Sequence, residues 1–325
     1  MTNSTSPAKL VTVFGGSGFV GRHVVQALAR RGYRVRVAVR RPDLTGHLQP
    51  LGDVGQVTAV QANLRYRWSV ERALQGADAV VNCVGILYQA GRQSFDAVQT
   101  FGPRAIGEAA RAAGIDNLVH ISAIGADAES DIAYLHSKGL GEAGLLETVP
   151  GAVILRPSIV FGPEDDFFNK FAGMAQVSPV LPLIGGGTTK FQPVYVGNVA
   201  EAVAVAVDGN ATPGTIYELG GPEIATFRQC LERMLAVIGR KRLLVPVPFA
   251  IAKIMGRVMG LLPKPLLTAD QVRMLQSDTV VSEAAEADGR TLAGLGIAAT
   301  AMDVILPTYL VRFCEHGQFE RTRTT

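Results

Sequence analysis

Cysteine is scarce in this sequence. Cys83, Cys230 and Cys314 are the only three in 325 residues, and no two stand at CxxC spacing. The five histidines are equally scattered. A disulfide framework and a metal site are therefore not expected, and a reducing, cytoplasmic compartment fits. Charge is also thin, at 18% of residues with a net of +3, and no basic–aromatic strip occurs, so nucleic acid is not an expected partner. No apolar run reaches the roughly 18–20 residues that a membrane-spanning helix needs. The opening MTNSTSPAKL has neither the apolar stretch of a signal peptide nor the arginines of a transit peptide. Apolar residues make up 48% of the chain, which argues against disorder and supplies one large core or two interleaved ones.

The segment LVTVFGGSGFVGRHVVQALARRGYRVRVAVRRPD is the most ordered pattern. Leu10–Phe14 is β-rich, and Gly15, Gly18 and Gly21 follow at GxxGxxG spacing. Val24, Val25 and Leu28 recur at helical spacing, Gly32 stops that helix, and Val35–Val39 is a second strand. A strand, a glycine turn, a helix and a parallel strand form a nucleotide-binding unit. The glycines admit a pyrophosphate and the helix N-terminus offers it free N–H groups. The expected cofactor contacts are Gly15, Gly16, Ser17, Gly18, Phe19, Val20, Gly21 and Arg22.

A carboxylate is missing where the second strand ends. NAD would find there an acceptor for its ribose 2′-hydroxyl; this chain has Arg40 and Arg41, whose guanidinium forks suit a phosphate. NADP(H) is thus expected over NAD(H), the alternative being that both are solvated loop charges. Strands are expected at Val57–Val60, Ala79–Val84 and Leu118–Ser122, with helices at Ser69–Leu74 and Phe101–Ala113. This alternation predicts an α/β fold with a Rossmann-type doubly wound parallel sheet. Ligands bind such sheets at the carboxyl ends of strands. That adds Asn63, Leu64, Val84 and Gly85 to the cofactor candidates, each with a turn role as the alternative.

Tyr134 and Lys138, in AYLHSKGLGE, stand one helical turn apart and share a face. A nearby ammonium favours phenolate, so such a pair can exchange protons near neutral pH. GGSGFVG, NCVG, YLHSK, LRPSIVFGP, QPVYVGNVAEAV and YELGGPE together resemble the extended short-chain dehydrogenase/reductase superfamily. The resemblance implies Tyr134 as proton donor, Lys138 as its tuner and ribose ligand, and Pro157 as a further cofactor contact. It places Ala123 where that superfamily has a catalytic Ser or Thr. Ser122 is adjacent and is the candidate catalytic hydroxyl if the alignment shifts by one residue, although neighbouring side chains on a strand face opposite ways. Asn198 and Phe14 also depart from the superfamily's usual Asp and Thr.

FGPEDDFFNKFAGMAQVSPVLPLIGGGTTKFQPVYV, KRLLVPVPFAIAKIMGRVMGLLPKPLLTADQVRML and LAGLGI are similar, in order, to the nucleotide-binding accessory-subunit branch of respiratory complex I. That resemblance implies tightly bound NADPH and complex I subunits as partners. It also implies a peripheral place on the cytoplasmic side of a bacterial inner membrane, and a structural rather than catalytic role. The alternative is an active NADP-dependent oxidoreductase working through Tyr134 and Lys138 on a quinone or quinone precursor. The expected organisation is a flexible 1–9, a nucleotide domain at 10–159 completed by about 191–220, and a smaller interleaved α/β domain from 160–190 and 221–325. Segment 245–275 is expected to face a membrane. Within it FAIAKIMGRVMGLL sets Lys253 and Arg257 on one face, the alternative being a buried helix with two exposed cations. Asp165–Asp166 is expected to be a solvated turn, the alternative being an acidic site.

Overall fold

The computed structural model describes residues 8–260, 267–315 and 317. In chain order the elements are β1 (Leu10–Phe14), α1 (Phe19–Arg30), β2 (Arg34–Val39), β3 (Val57–Gln61), α2 (Arg67–Leu74), β4 (Ala79–Asn82), α3 (Phe101–Ala112), β5 (Leu118–Ile121), α4 (Ala133–Thr148) and β6 (Val153–Pro157). There follow β7 (Val160–Phe161), α5 (Phe168–Val177), β8 (Val180–Ile184), β9 (Lys190–Phe191), β10 (Val194–Tyr195), α6 (Val196–Val207), β11 (Ile216–Leu219), β12 (Ala225–Thr226) and α7 (Phe227–Val237). The chain closes with β13 (Leu243–Val247), α8 (Phe249–Met259), α9 (Ala269–Met274), α10 (Glu283–Ala287) and α11 (Met302–Leu310). It divides into two compact units, one comprising 1–156, 199–217 and 292–297, the other comprising the rest.

The first unit is built on a seven-stranded sheet in the order β11-β6-β5-β4-β1-β2-β3. β1 is buried over its whole length, as the near-continuous apolar run LVTVF demands of a strand covered on both faces. It pairs in parallel with β2 on one side and β4 on the other. The chain therefore winds outward through β2 and β3, then returns to lay β4 against β1. That reversal makes the β1/β4 crevice the place where such sheets bind ligands. Phe14, Ala38, Val80, Ile106, Leu118 and Leu145 belong to the apolar layer that joins the sheet to its helices.

Two expectations change in detail. β4 ends at Asn82, so Cys83, Val84 and Gly85 are loop. Within the 191–220 stretch expected to complete the nucleotide domain, the strand that enters the large sheet is β11, after α6, whereas β10, before it, pairs with β7.

The second unit packs α5, α7 and α11 around an apolar core that includes Phe161, Phe168, Phe191 and Phe227. Phe167 stands edge-on to Phe168, Phe171 and Phe191. The Asp165–Asp166 expectation is half wrong. Asp166 is exposed, but Asp165 is buried and accepts hydrogen bonds from the backbone N–H of Gly162, Phe167 and Asn169 and from the Tyr309 hydroxyl. Four donors explain how a carboxylate stays in this core, although burial still raises its pKa. Asn198 clamps a distant segment, donating to the Ala298 carbonyl and accepting from Thr300 N–H.

α8 is an inside-out amphipathic helix. Its buried residues are small, Ala252 and Gly256, and a Cβ on Gly256 would lie 2.9 Å from the Ala269 nitrogen at the start of α9. The bulky residues face outward: Ile251, Ile254 and Val258 are 52%, 63% and 63% exposed, with Leu243 and Val245 of β13 also exposed. The alternative of a buried helix is thereby excluded. Residues 1–7 of the N-terminus expected to be flexible lie outside the described residues. So do 261–266, which include the last two residues of the expected Phe249–Leu262 helix. Among the described residues no helix is long and apolar enough to cross a membrane.

Candidate nucleotide-binding site

The glycine turn is assembled from backbone approaches that a side chain would block. Gly15 has φ +74° and donates to the Ala38 carbonyl at 3.1 Å. A Cβ on Gly21 would fall 2.2 Å from the Gly15 carbonyl oxygen, so only glycine lets α1 start this close to the turn. Gly18 is the N-cap residue of α1 and supplies no side chain to its first turn, which also lacks an acidic residue. The leading amides are thus left for an anion.

A cleft opens beside this turn. Gly15, Ser17, Gly18, Arg40, Asn63, Leu64, Val84 and Gly85, all expected contacts, line it. Arg65, Cys83, Ile86, Arg92, Gln93, Ala97 and Val98 line it as well and were not foreseen. Three arginines and no carboxylate stand among its lining residues.

The remaining expected contacts sit elsewhere. Gly16 is packed against Val13, Val25 and Val37, and Phe19 and Val20 open α1 half-buried. Arg22 donates back to the Ser17 and Gly18 carbonyls. Arg41 grips Asp43 with two nitrogens, at 2.9 and 2.7 Å, and both side chains are exposed. Pro157 ends β6 and is not in the cleft lining.

α4 carries Tyr134 and Lys138, 8% and 4% exposed. Lys138 Nζ donates to the Ile121 carbonyl at 3.1 Å and lies 3.5 Å from where a Gly85 Cβ would be, which sets the ammonium at the Gly85 end of the cleft. Burial lowers its pKa to about 8, against the opposing pull of Glu142 and Cys83. Tyr134 meets Phe95 edge-on at 5.9 Å, and burial raises its hydroxyl to about 12 with no neighbouring charge acting against it.

Ser122 is buried, and its Oγ has no partner among the described residues. β5 ends at Ile121, one residue short of expectation, so Ser122 and Ala123 follow the strand, with Ser122 N–H still donating to the Leu155 carbonyl at 2.7 Å. His120 meets Asn82 through Nδ1 at 3.0 Å, and burial followed by the Lys138 charge holds it well below the usual histidine range, so it is neutral. Arg156, a conspicuous charge in the sequence, forms a bidentate pair with buried Glu142 at 2.9 and 2.5 Å. Neither Asn82 nor Glu142 carries a sequence signal beyond polarity in an apolar stretch. No cluster of metal-ligand residues occurs among the described residues.

The doubly wound sheet, the glycine turn and the carboxylate-free cleft at its switch point define a dinucleotide-binding fold of the Rossmann type. The pattern of the NAD(P)H-binding family matches residues 15–143, and that of the 3-beta hydroxysteroid dehydrogenase/isomerase family matches 128–221. A UDP-glucose 4-epimerase structure from Thermotoga maritima, solved with UDP-glucose, superposes with a TM-score of 0.67 over 96% of this chain and 99% of that one, at 18% identity. Mitochondrial NADH dehydrogenase [ubiquinone] 1 alpha subcomplex subunit 9 of Arabidopsis thaliana is 37% identical over 84% of this chain and 71% of its own length. The mitochondrial NADH-ubiquinone oxidoreductase 40 kDa subunit of Neurospora crassa is 31% identical over 88% of this chain and 74% of its own. The chain belongs to this family of NADH:ubiquinone oxidoreductase (complex I) nucleotide-binding subunits.

Proposed function

We propose that the protein is an NADP(H)-holding accessory subunit of respiratory complex I, structural rather than catalytic. It would sit peripherally on the cytoplasmic face of a bacterial inner membrane. The observation that carries the binding half is the cleft, where open helix amides and unneutralised arginines await a polyanion. Such a cofactor supplies hydride when bound; here the residues bind and orient it. The α1 amides take the pyrophosphate, Arg40 the adenosine end, and Lys138, beside Gly85, the nicotinamide-side ribose. The non-catalytic half is supported by the likeness to complex I subunits and by Ala123 where a catalytic hydroxyl would stand. The α8 face supports the peripheral placement, since each buried Ile or Val contributes about 1.5–3 kcal/mol. Segment 245–275, as far as it is described, is the membrane-facing candidate.

Affinity purification from mildly solubilised membranes tests this reading. Complex I subunits and NADP(H) are expected in the same eluate; a lone protein that oxidises NADPH with a quinone-like substrate would refute it. A second reading, an NADP-dependent oxidoreductase acting on a quinone or quinone precursor, is favoured by one observation: Tyr134 and Lys138 keep their shared helical face. Under the first reading, Tyr134→Phe fully complements a deletion strain.

A further inference from the structure

The sequence points to Arg40 and Arg41 as the pair that would recognise an adenosine 2′-phosphate, but the two side chains have different fates. Arg41 is spent on Asp43 outside the cleft. Arg40 lines the cleft, and Arg65 lines it from the next strand over. β2 and β3 are paired with Val39 opposite Gln61, and Ala62 N–H donates to the Val39 carbonyl at 2.8 Å. Arg40 and Arg65 therefore leave two adjacent strand ends that are tied together just below them.

Arg65 is placed by its backbone as well. Asn63 Oδ1 accepts from Arg65 N–H at 3.2 Å and the Asn63 carbonyl from Tyr66 N–H at 2.8 Å, a side-chain-supported turn that fixes where the Arg65 stem begins. A third guanidinium, Arg92, reaches the same cleft from the loop after β4. That loop is itself held, by Ala90 and Gln93 exchanging backbone hydrogen bonds and by Gln89 Oε1 accepting from Phe95 N–H. Among the described residues no carboxylate pairs with Arg40, Arg65 or Arg92. Three like charges around one cleft repel one another unless an anion joins them.

The geometry points to Arg65 as the residue that, with Arg40, selects a 2′-phosphorylated adenosine, while Arg92 closes the clamp from the facing loop. This rests on the NADP(H) reading and extends it to residues that no resemblance assigns. Guanidiniums from two neighbouring strand ends can share the three oxygens of a phosphate monoester, Arg65 swinging from its place over the Tyr66 ring, 5.9 Å from the centroid, whereas an unphosphorylated ribose leaves both without an acceptor.

The test measures binding of NADPH, NADH, adenosine 2′,5′-bisphosphate and 5′-AMP by calorimetry and by nucleotide-induced change in Tm. The proteins are the full chain and its Arg65→Ala, Arg65→Lys, Arg92→Ala and Arg67→Ala variants. Arg67 is the control, an exposed arginine two positions on that is paired with Glu71 and Glu108. Arg65→Ala is expected to weaken NADPH and the bisphosphate about ten- to a hundredfold while leaving NADH and 5′-AMP within about twofold. Arg65→Lys recovers part of the loss, Arg92→Ala gives a smaller selective loss, and Arg67→Ala gives none. If the wild type prefers NADPH and Arg65→Ala preserves that preference, or loses both nucleotides equally at unchanged nucleotide-free Tm, the inference falls alone. A wild type that binds NADPH no better than NADH overturns the cofactor reading beneath it.

Discussion

Lys138 stands where a cation is costly. The folded protein holds its pKa at about 8, below the ordinary 10.5, because burial disfavours the ammonium. The unfolded chain therefore binds more protons in the window between 8 and 10.5, and the folding penalty is complete below 8 and gone above 10.5. Lys138→Met is expected to stabilise the nucleotide-free protein by roughly 3 kcal/mol at pH 7, discounting the lost Ile121 hydrogen bond. That gain shrinks toward zero by pH 10. Urea titrations at several pH values read it, and a gain that does not depend on pH would contradict it. Burial moves Tyr134 the other way, to about 12, and the comparison between variants cancels it; Cys83, also raised to about 12, is coupled to Lys138 and rises further without it. At the same scale Gly21→Ala drives a methyl into the Gly15 carbonyl. It is expected to cost about 3 kcal/mol and abolish nucleotide retention, as checked by urea unfolding and by analysis of extracted nucleotide.

Among the elements, those set by local pattern were the most legible. β1, the glycine turn, α1 and β2 fell within a residue or so of expectation, because alternation, helical spacing and glycine act over a few neighbours. What escaped depends on distance along the chain. Nothing near Asp165 announces that its partner is Tyr309, 144 positions away, and an acidic doublet between Pro163 and a run of Phe looks like a solvated turn. The same holds for Arg65 and Arg92, which share a cleft only after the sheet has formed. Arg41, by contrast, lies off the cleft lining, paired with its sequence neighbour Asp43. For the Asp165 knot, Tyr309→Phe is expected to cost about 1–2 kcal/mol, with three backbone donors still serving the carboxylate. Asp165→Ala costs about 3 kcal/mol or more, stranding the Tyr309 hydroxyl and the amides of Gly162, Phe167 and Asn169. Chemical denaturation of the two variants orders them, and equal costs would show that the hydroxyl rather than the carboxylate organises the knot.

At the scale of the whole molecule, nucleotide retention and attachment to a partner are expected to separate. Ile254 and Val258 belong to the second compact unit and the glycine turn to the first. Ile254→Glu with Val258→Glu should therefore leave bound nucleotide per chain unchanged while releasing the protein from native membranes at salt concentrations the wild type withstands. Sedimentation after a carbonate wash reads the second quantity. Unaltered sedimentation would remove α8 from the attachment.

The unfilled first turn of α1 has a consequence for the protein's lifetime. Its amides have no side-chain cap, so the nucleotide completes the fold by mass action. At a free concentration a hundred times its dissociation constant, the nucleotide adds about 2.7 kcal/mol to a marginal stability. An empty chain would be the preferred prey of proteases, and the abundance of the protein in the cell should then follow the nucleotide pool with no dedicated sensor.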